Sequence, residues 1–459
     1  MHANKNPSPA ENMKDVVAVD LSPFLREYKG GRVDRLLRST FVPASEDAGA
    51  NRGVTTRDAV IDAATGVSAR LFLPSRTTTT SNNLLPVVMY IHGGSFCTES
   101  AFCRTYHNYA RSLAANAGAL VVSVEYRLAP EHPIPAPYDD AWAALQWVAS
   151  FSDPWLAAHA DPARLFVAGD SAGGNIVYNT AVRAAASMTS VVDIQGLVIV
   201  QPYFWGTERL PSEELAEDAG AVLPACLVDR AWPYVTAGQA CNDDPRINPR
   251  DEDIASLACS RVLVAVAEKD MLRERGSRLA ARLRDCRRPI GHDDDNDDDD
   301  NYDVTLVESE GEDHGFHLYS PLRATSKKLM ESIVRFINQP LPLPVLPAAF
   351  LPEPHELRLL IGTCEEGKKK NKKSSARPIL GLPSRPYMDV FGYGMAMKRW
   401  TGPSSCLMHP TTALGKVGQG NASSKTRHGL CLGRARPGQT YMGSFSAAGH
   451  GSSVIKNFF

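Results

Sequence analysis

The strongest constraint on this chain is ten residues long: Leu165-Phe166-Val167-Ala168-Gly169-Asp170-Ser171-Ala172-Gly173-Gly174. An apolar run of strand formers stops at Gly169, and a helix-compatible run starts at Asn175. Ser171 stands between glycines two positions away on either side. In this strand–turn–helix context the G-x-S-x-G pattern places a serine on a sharp, strained turn above a sheet edge. The glycines leave room for strained backbone and for close passage of helix and strand. The following helix turns its positive end toward the hydroxyl. Ser171 is therefore the candidate nucleophile, and the chain must also supply an anion-stabilising loop, an acid and a base.

The loop comes first. His92-Gly93-Gly94-Ser95-Phe96 directly follows the strand-like run Val87–Ile91. Acyl transfer at a serine needs backbone N–H groups aimed at the developing oxyanion, and paired glycines let amides point into a cleft unobstructed. The expected donors are the N–H groups of Gly93, Gly94 and Ala172, the last directly after the nucleophile. Acid and histidine should then follow the serine in that order. Val262–Ala267 reads as a strand running into Glu268-Lys269-Asp270. Asp270, just past the strand end, is the expected acid, and Glu268, closer to the strand, is its competitor. Val304–Val307 leads into Glu312-Asp313-His314-Gly315. Gly315 gives His314 the loop freedom that a base over Ser171 requires, so His314 is the expected base. His317 enters the next element, and His92 belongs to the glycine loop.

The 459 residues are 43% apolar and 22% charged, ordinary values for a soluble globular protein. The formal charge of −2 conceals a division: residues 341–459 carry 16 Lys and Arg against 5 Asp and Glu, and the preceding body 33 against 46. An acidic body with a basic tail argues against one nucleic-acid-binding surface, and no nucleic-acid partner is expected. Nine cysteines without a C-x-x-C indicate neither a disulfide framework nor a zinc site, but free thiols in a reducing compartment. The polar N-terminus lacks the apolar core of a signal peptide, and no apolar run approaches the ~18 residues of a membrane span. The expected location is cytoplasmic, with a nuclear one as the alternative. Asn421-Ala422-Ser423 fits a glycosylation sequon that would stay idle without secretion.

Strands alternating with helical patterns imply an α/β protein with a mostly parallel central sheet and helices on both faces. Val60-Ile61 and Ala69–Leu73, flanking Thr65-Gly66, read as a hairpin adding antiparallel strands at one edge. Asp139-Asp140 are expected to cap a helix bearing Ala141, Leu145 and Val148. From Tyr203 to Pro249 the pattern changes to short helical pieces with Pro and Gly, as in an inserted cap. Residues 1–19 are expected to be disordered and residues 20–339 to form the catalytic domain. Asp293–Asp300 reads as a solvated, self-repelling loop, without the spaced ligands of a calcium site, so no metal is expected. Residues 340–459, rich in Pro, Gly and Lys, read as a disordered appendage. A nuclear address or acidic-partner patch at Lys368–Lys373 is the sharper alternative.

Residues from about Asp20 to Asn338 resemble the plant carboxylesterase branch of the hormone-sensitive-lipase-like α/β-hydrolases. The matching residues are His92-Gly93-Gly94-Ser95-Phe96, Tyr126-Arg127-Leu128-Ala129-Pro130-Glu131, Gly169-Asp170-Ser171-Ala172-Gly173-Gly174, Asp270 and His314-Gly315-Phe316. The resemblance implies an α/β-hydrolase fold with a helical cap, no cofactor, and hydrolysis of short-chain or aromatic carboxylic esters. It also implies a lid built from the N-terminal segment, about 20–45, and the insertion at 203–250. Ser95 departs from the pattern, since the family often has a third glycine there; the first two glycines are the expected donors. The Asp-rich loop and the tail have no counterpart in the family. Two relatives of other classes share the fold. The soluble gibberellin receptor lacks the histidine that His314 supplies here, and a hydroxyisoflavanone dehydratase eliminates water with a similar site. A serine carboxylesterase is the expected function, with dehydratase and hormone receptor as the alternatives.

Overall fold

Strands buried on both faces need apolar residues at successive positions rather than at alternate ones, and the apolar runs of this sequence meet that need. The computed structural model describes residues 15–75, 84–187, 192–215, 221–257, 259–287 and 304–340. Three strands, β1 (Val17–Leu21), β2 (Leu25–Tyr28) and β3 (Val33–Arg35), make a small antiparallel sheet. The central sheet has eight: β4 (Val54–Asp62), β5 (Val67–Pro74), β6 (Leu85–Ile91), β7 (Leu120–Glu125), β8 (Ala160–Asp170), β9 (Gly196–Val200), β10 (Arg261–Ala267) and β11 (Val304–Ser309). Their order is β11-β10-β9-β8-β6-β7-β5-β4. From β7 to β11 every pairing is parallel. The leading hairpin β4–β5 adds the antiparallel edge.

The helices are α1 (Arg104–Ala117), α2 (Ala136–Ala149), α3 (Pro154–His159), α4 (Ala172–Ala186), α5 (Pro211–Leu215), α6 (Ala225–Val235), α7 (Asp251–Ala255), α8 (Arg273–Arg287), α9 (Phe316–Tyr319) and α10 (Ala324–Asn338). Side chains of each strand alternate between two cores. Val87, Met89, Val167, Val262 and Val264 pack with Leu145, Ile176 and Leu279 of α2, α4 and α8. Val88, Tyr90, Phe166, Val198 and Leu263 pack with Leu113, Leu329, Ile333 and Phe336 of α1 and α10. The expected layers, helices on both faces of a mostly parallel sheet, are the observed ones.

Three expectations need correction. The first concerns the start of the chain. β1 begins at Val17, inside the stretch 1–19 expected to lack structure; Val17 pairs with Tyr28 and Val19 with Glu27, and Gly31, at φ +81°, turns the chain from β2 into β3. The second concerns the N-terminal part of the cap, which is a strand meander and not helical. It packs on α6, where the Arg230 guanidinium donates to the Asp20 carbonyl at 2.7 Å and the Tyr234 hydroxyl to Glu27 at 2.9 Å. The third concerns α2, which starts at Ala136 because Pro135 and Pro137 set its first turn. Asp139-Asp140 therefore do not cap it. Asp140, 2% exposed, turns inward and accepts from the Arg127 backbone at 2.8 Å and its guanidinium at 2.6 Å.

Residues 1–14, the Asp293–Asp300 run, the Lys368–Lys373 cluster, Asn421 and the rest of 341–459 lie outside the described residues, and the expectations for them with it. Among the described residues no helix is long and apolar enough to cross a membrane. Asp140→Ala removes the buried acceptor of the Arg127 backbone N–H and of its partly exposed guanidinium, and the expected loss is about 1–3 kcal/mol of stability. Urea unfolding checks this as a lower midpoint at unchanged slope; an unchanged midpoint would contradict it.

Candidate active site

β6 and β8 end level with one another, Ile91 opposite Gly169, so the glycine loop and the serine turn leave the sheet side by side. No side chain fits between them. A Cβ on Gly173 would lie 2.1 Å from the Ile91 carbonyl oxygen, and one on Gly169 would lie 2.7 Å from the same atom. Ser171 itself sits at φ +51°, ψ −120°, a region that costs a side-chain-bearing residue energy. The surroundings hold it there: its N–H donates to Val200 and its carbonyl accepts from Tyr203, both at 2.9 Å.

The two parallel strands β10 and β11 bring the acid and the histidine together. Ala267 pairs with Ser309, so the loops that follow run alongside each other. Asp270, 2% exposed, accepts from the Leu272 N–H at 3.0 Å through Oδ1 and lies 2.8 Å from His314 Nδ1 through Oδ2. A carboxylate can only accept, so Nδ1 carries the proton. Nε2 then presents its lone pair to Ser171 Oγ, 3.0 Å away. Burial alone would lower the imidazole, but Asp270, with Asp170 and Asp313 nearby, outweighs it and holds His314 above its ordinary value. Glu268 lies off this line and accepts from the Gly311 N–H at 2.7 Å. His317 is buried against the Tyr109 ring, and burial lowers it to about 3.

The glycine loop departs from expectation at one position. The Gly93 N–H donates to the Tyr106 hydroxyl at 2.9 Å, so it is already committed inside the protein and leaves the expected donor set. The Gly93 carbonyl accepts from His92 Nδ1 at 2.8 Å and from the Tyr126 hydroxyl at 3.2 Å. Because the peptide is planar and trans, the Gly94 N–H faces the opposite way. Burial lowers His92 to about 4, and its ring stacks on Tyr126 with centroids 4.2 Å apart. Gly94, Ser95 and Phe96 follow at φ +101°, +52° and +60°. Among the described residues no acceptor takes the N–H of Gly94, Ser95 or Ala172. The Ser95 N–H belongs to the backbone, so it is present whatever the side chain.

Sequence reasoning missed Gln201 at the end of β9, between the serine strand and the acid strand. Its Oε1 accepts from the Gly315 N–H at 2.9 Å, and its Nε2 donates to the Asp313 carbonyl at 3.3 Å, so one side chain brackets His314. Its place at the C-terminal edge of the sheet was the available signal. Among the described residues no group of three or more His, Cys, Asp or Glu side chains could hold a metal ion.

Residues 88–318 match a family described as having the alpha/beta hydrolase fold. The chain is 36% identical over 335 residues to probable carboxylesterase 5 of Arabidopsis thaliana, covering 71% of this chain and 99% of the relative. It is 39% identical over 332 residues to 2-hydroxyisoflavanone dehydratase of Glycyrrhiza echinata, covering 69% and 95%. Among solved structures, an esterase of the archaeon Pyrobaculum calidifontis superposes with a TM-score of 0.51 at 28% identity, covering 61% of this chain and 84% of that one.

A base must be neutral to accept a proton, so kcat/KM on a small ester is expected to rise with pH through one ionisation above the ordinary histidine value of about 6.5. Removing the carboxylate that favours the imidazolium moves that limb to lower pH. Asp270→Asn should show the move together with a loss of about 10³- to 10⁴-fold in kcat, while Glu268→Gln leaves both nearly unchanged. The reverse ranking would transfer the acid to Glu268.

Proposed function

Because the chain belongs to the α/β-hydrolase fold family, in its hormone-sensitive-lipase-like carboxylesterase branch, we propose that it is a serine carboxylesterase using Ser171, His314 and Asp270 on small carboxylic esters. The observation that carries the reading is the unbroken line from Asp270 Oδ2 through His314 to Ser171 Oγ, at 2.8 and 3.0 Å. Ser171 Oγ attacks the ester carbonyl carbon and passes its proton to His314 Nε2. The carbonyl electrons move onto oxygen, which the N–H groups of Gly94, Ser95 and Ala172 receive. Collapse breaks the bond to the alcohol, which leaves with the proton from Nε2. A water then attacks the Ser171 ester with His314 as base, and the acid departs as Oγ regains its proton. Asp270 holds the tautomer and balances the charge of the imidazolium throughout. The proposed substrate is a small-molecule ester, and no cofactor enters any step.

A dehydratase acting on a hydroxyisoflavanone-like compound is the second reading, supported by the identity to the Glycyrrhiza echinata enzyme. Elimination needs a base and a place for a developing oxyanion, but no covalent bond to Ser171. The hormone-receptor reading is less favoured, because His314 stands within hydrogen-bond reach of Ser171. Among the described residues Cys97, Cys103, Cys226, Cys241 and Cys286 are free thiols, which supports a reducing compartment, and the cytoplasm is the proposed one.

Ser171→Ala should keep the unfolding midpoint of the native chain and lose about 10⁴-fold or more in kcat on p-nitrophenyl acetate. Turnover retained well above solvent background would overturn the esterase mechanism. Elimination of water from a 2-hydroxyisoflavanone by both the native chain and Ser171→Ala would favour the second reading. Residues up to Gln339 include every group the mechanism uses, so a chain ending there is expected to be soluble and to match the full chain in kcat/KM. An inactive or insoluble truncation would overturn the proposed boundary at 339.

A further inference from the structure

A buried carboxylate without a cation is costly unless hydrogen bonds satisfy it, and Asp170 is such a group. It is 3% exposed, next in sequence to the nucleophile, and burial pushes it up to about 6. Two phenols and a backbone amide serve it: the Tyr90 hydroxyl donates to Oδ1 at 2.6 Å, the Tyr106 hydroxyl to Oδ2 at 2.8 Å, and the Gly93 N–H faces the carboxylate as well. It exchanges no proton and forms no bond in the mechanism, and acts on His314 only as one of the nearby charges. Its geometry shows what it reaches. A hydroxyl has one proton, and Tyr106 spends that proton on Asp170, so only a lone pair remains for the Gly93 N–H, 2.9 Å away. The contact is close enough that a Cβ on Gly93 would fall 2.6 Å from Asp170 Oδ2 and 2.9 Å from the Tyr106 oxygen.

The relay joins three elements. Asp170 ends β8 and begins the serine turn, Tyr106 lies on α1, and Gly93 begins the loop after β6. The donors proposed for the oxyanion come from two of them, Ala172 from the turn and Gly94 and Ser95 from the loop. We propose that Asp170 and Tyr106 are positioning residues that fix the two halves of the oxyanion hole relative to each other. The carboxylate orients the Tyr106 hydroxyl, the hydroxyl holds the His92–Gly93 peptide, and the next amides are thereby aimed at the point where Ala172 also points. Tyr90 occupies the second carboxylate oxygen and keeps it from turning. This inference rests on the Ser171 reading.

Removing one hydroxyl tests it. Tyr106→Phe keeps the ring and removes the hydroxyl that accepts from the Gly93 N–H. Its kcat on p-nitrophenyl acetate should fall by about 10- to 100-fold, with KM unchanged to within about twofold. An aryl trifluoromethyl ketone, which forms a tetrahedral adduct at the nucleophile, should bind more weakly by the same factor as kcat/KM falls. A residue that only supports the fold would lower the melting temperature without that parallel. Asp170→Asn offers one acceptor oxygen for two phenols and carries the same expectation, so it decides the question if Tyr106→Phe does not fold. Native kcat and native ketone affinity in either folded variant would overturn the proposal, as would a rise in KM alone. Undiminished turnover by Ser171→Ala would instead remove the reading on which the proposal stands, whatever is found at Tyr106.

Discussion

Where β6 and β8 end, two backbones run closer together than any pair of side chains would allow. The Ile91 carbonyl oxygen would lie 2.7 Å from a Cβ on Gly169 and 2.1 Å from one on Gly173. That contact sets the spacing between the serine turn and the glycine loop, and a nucleophile and its oxyanion donors are useful only at one spacing. The parallel sheet extends the same logic outward. β9 lies between the serine strand and the acid strand, and Gln201, the residue directly after it, ties the histidine loop back across the gap. Each proposed catalytic group thus sits on a loop, but each loop is anchored by a neighbour's backbone or a buried amide.

The electrostatics follow from the same burial. His92 and His317 are pushed down to about 4 and about 3 by desolvation. They remain neutral in ordinary buffers and serve as packing and hydrogen-bonding groups. His314 is also buried, yet the carboxylate at Nδ1 reverses the outcome. One imidazole of these three is therefore held above its ordinary value, and it is the one facing Ser171.

The sequence exposes the site to the extent that its chemistry has fixed order. Ser171, Asp270 and His314 follow strand ends in the sequence serine, acid, histidine, and the structure brings those three together. Gly93 shows the limit. Two adjacent glycines reveal that amides can turn, but which amide is already taken depends on Tyr106, a helical residue whose local pattern carries only packing information. Gln201 and Tyr90 were illegible for the same reason, since each acts on a partner far away in sequence. Asp140 looked like a helix cap because it precedes an apolar periodicity; its true partner, Arg127, lies on the preceding loop. The N-terminal meander was missed because its strands are short and its apolar residues face α6, whose position no local pattern discloses.

The central claim is that Ser171 forms the covalent bond. Treating the full chain with one equivalent of diethyl p-nitrophenyl phosphate, followed by intact-mass measurement and peptide mapping, tests it without reference to the natural ester. One diethylphosphoryl group is expected on the peptide carrying Ser171, with esterase activity lost in step with its appearance. Activity lost while Ser171 remains unmodified, or Ser171 labelled while activity persists, would contradict it.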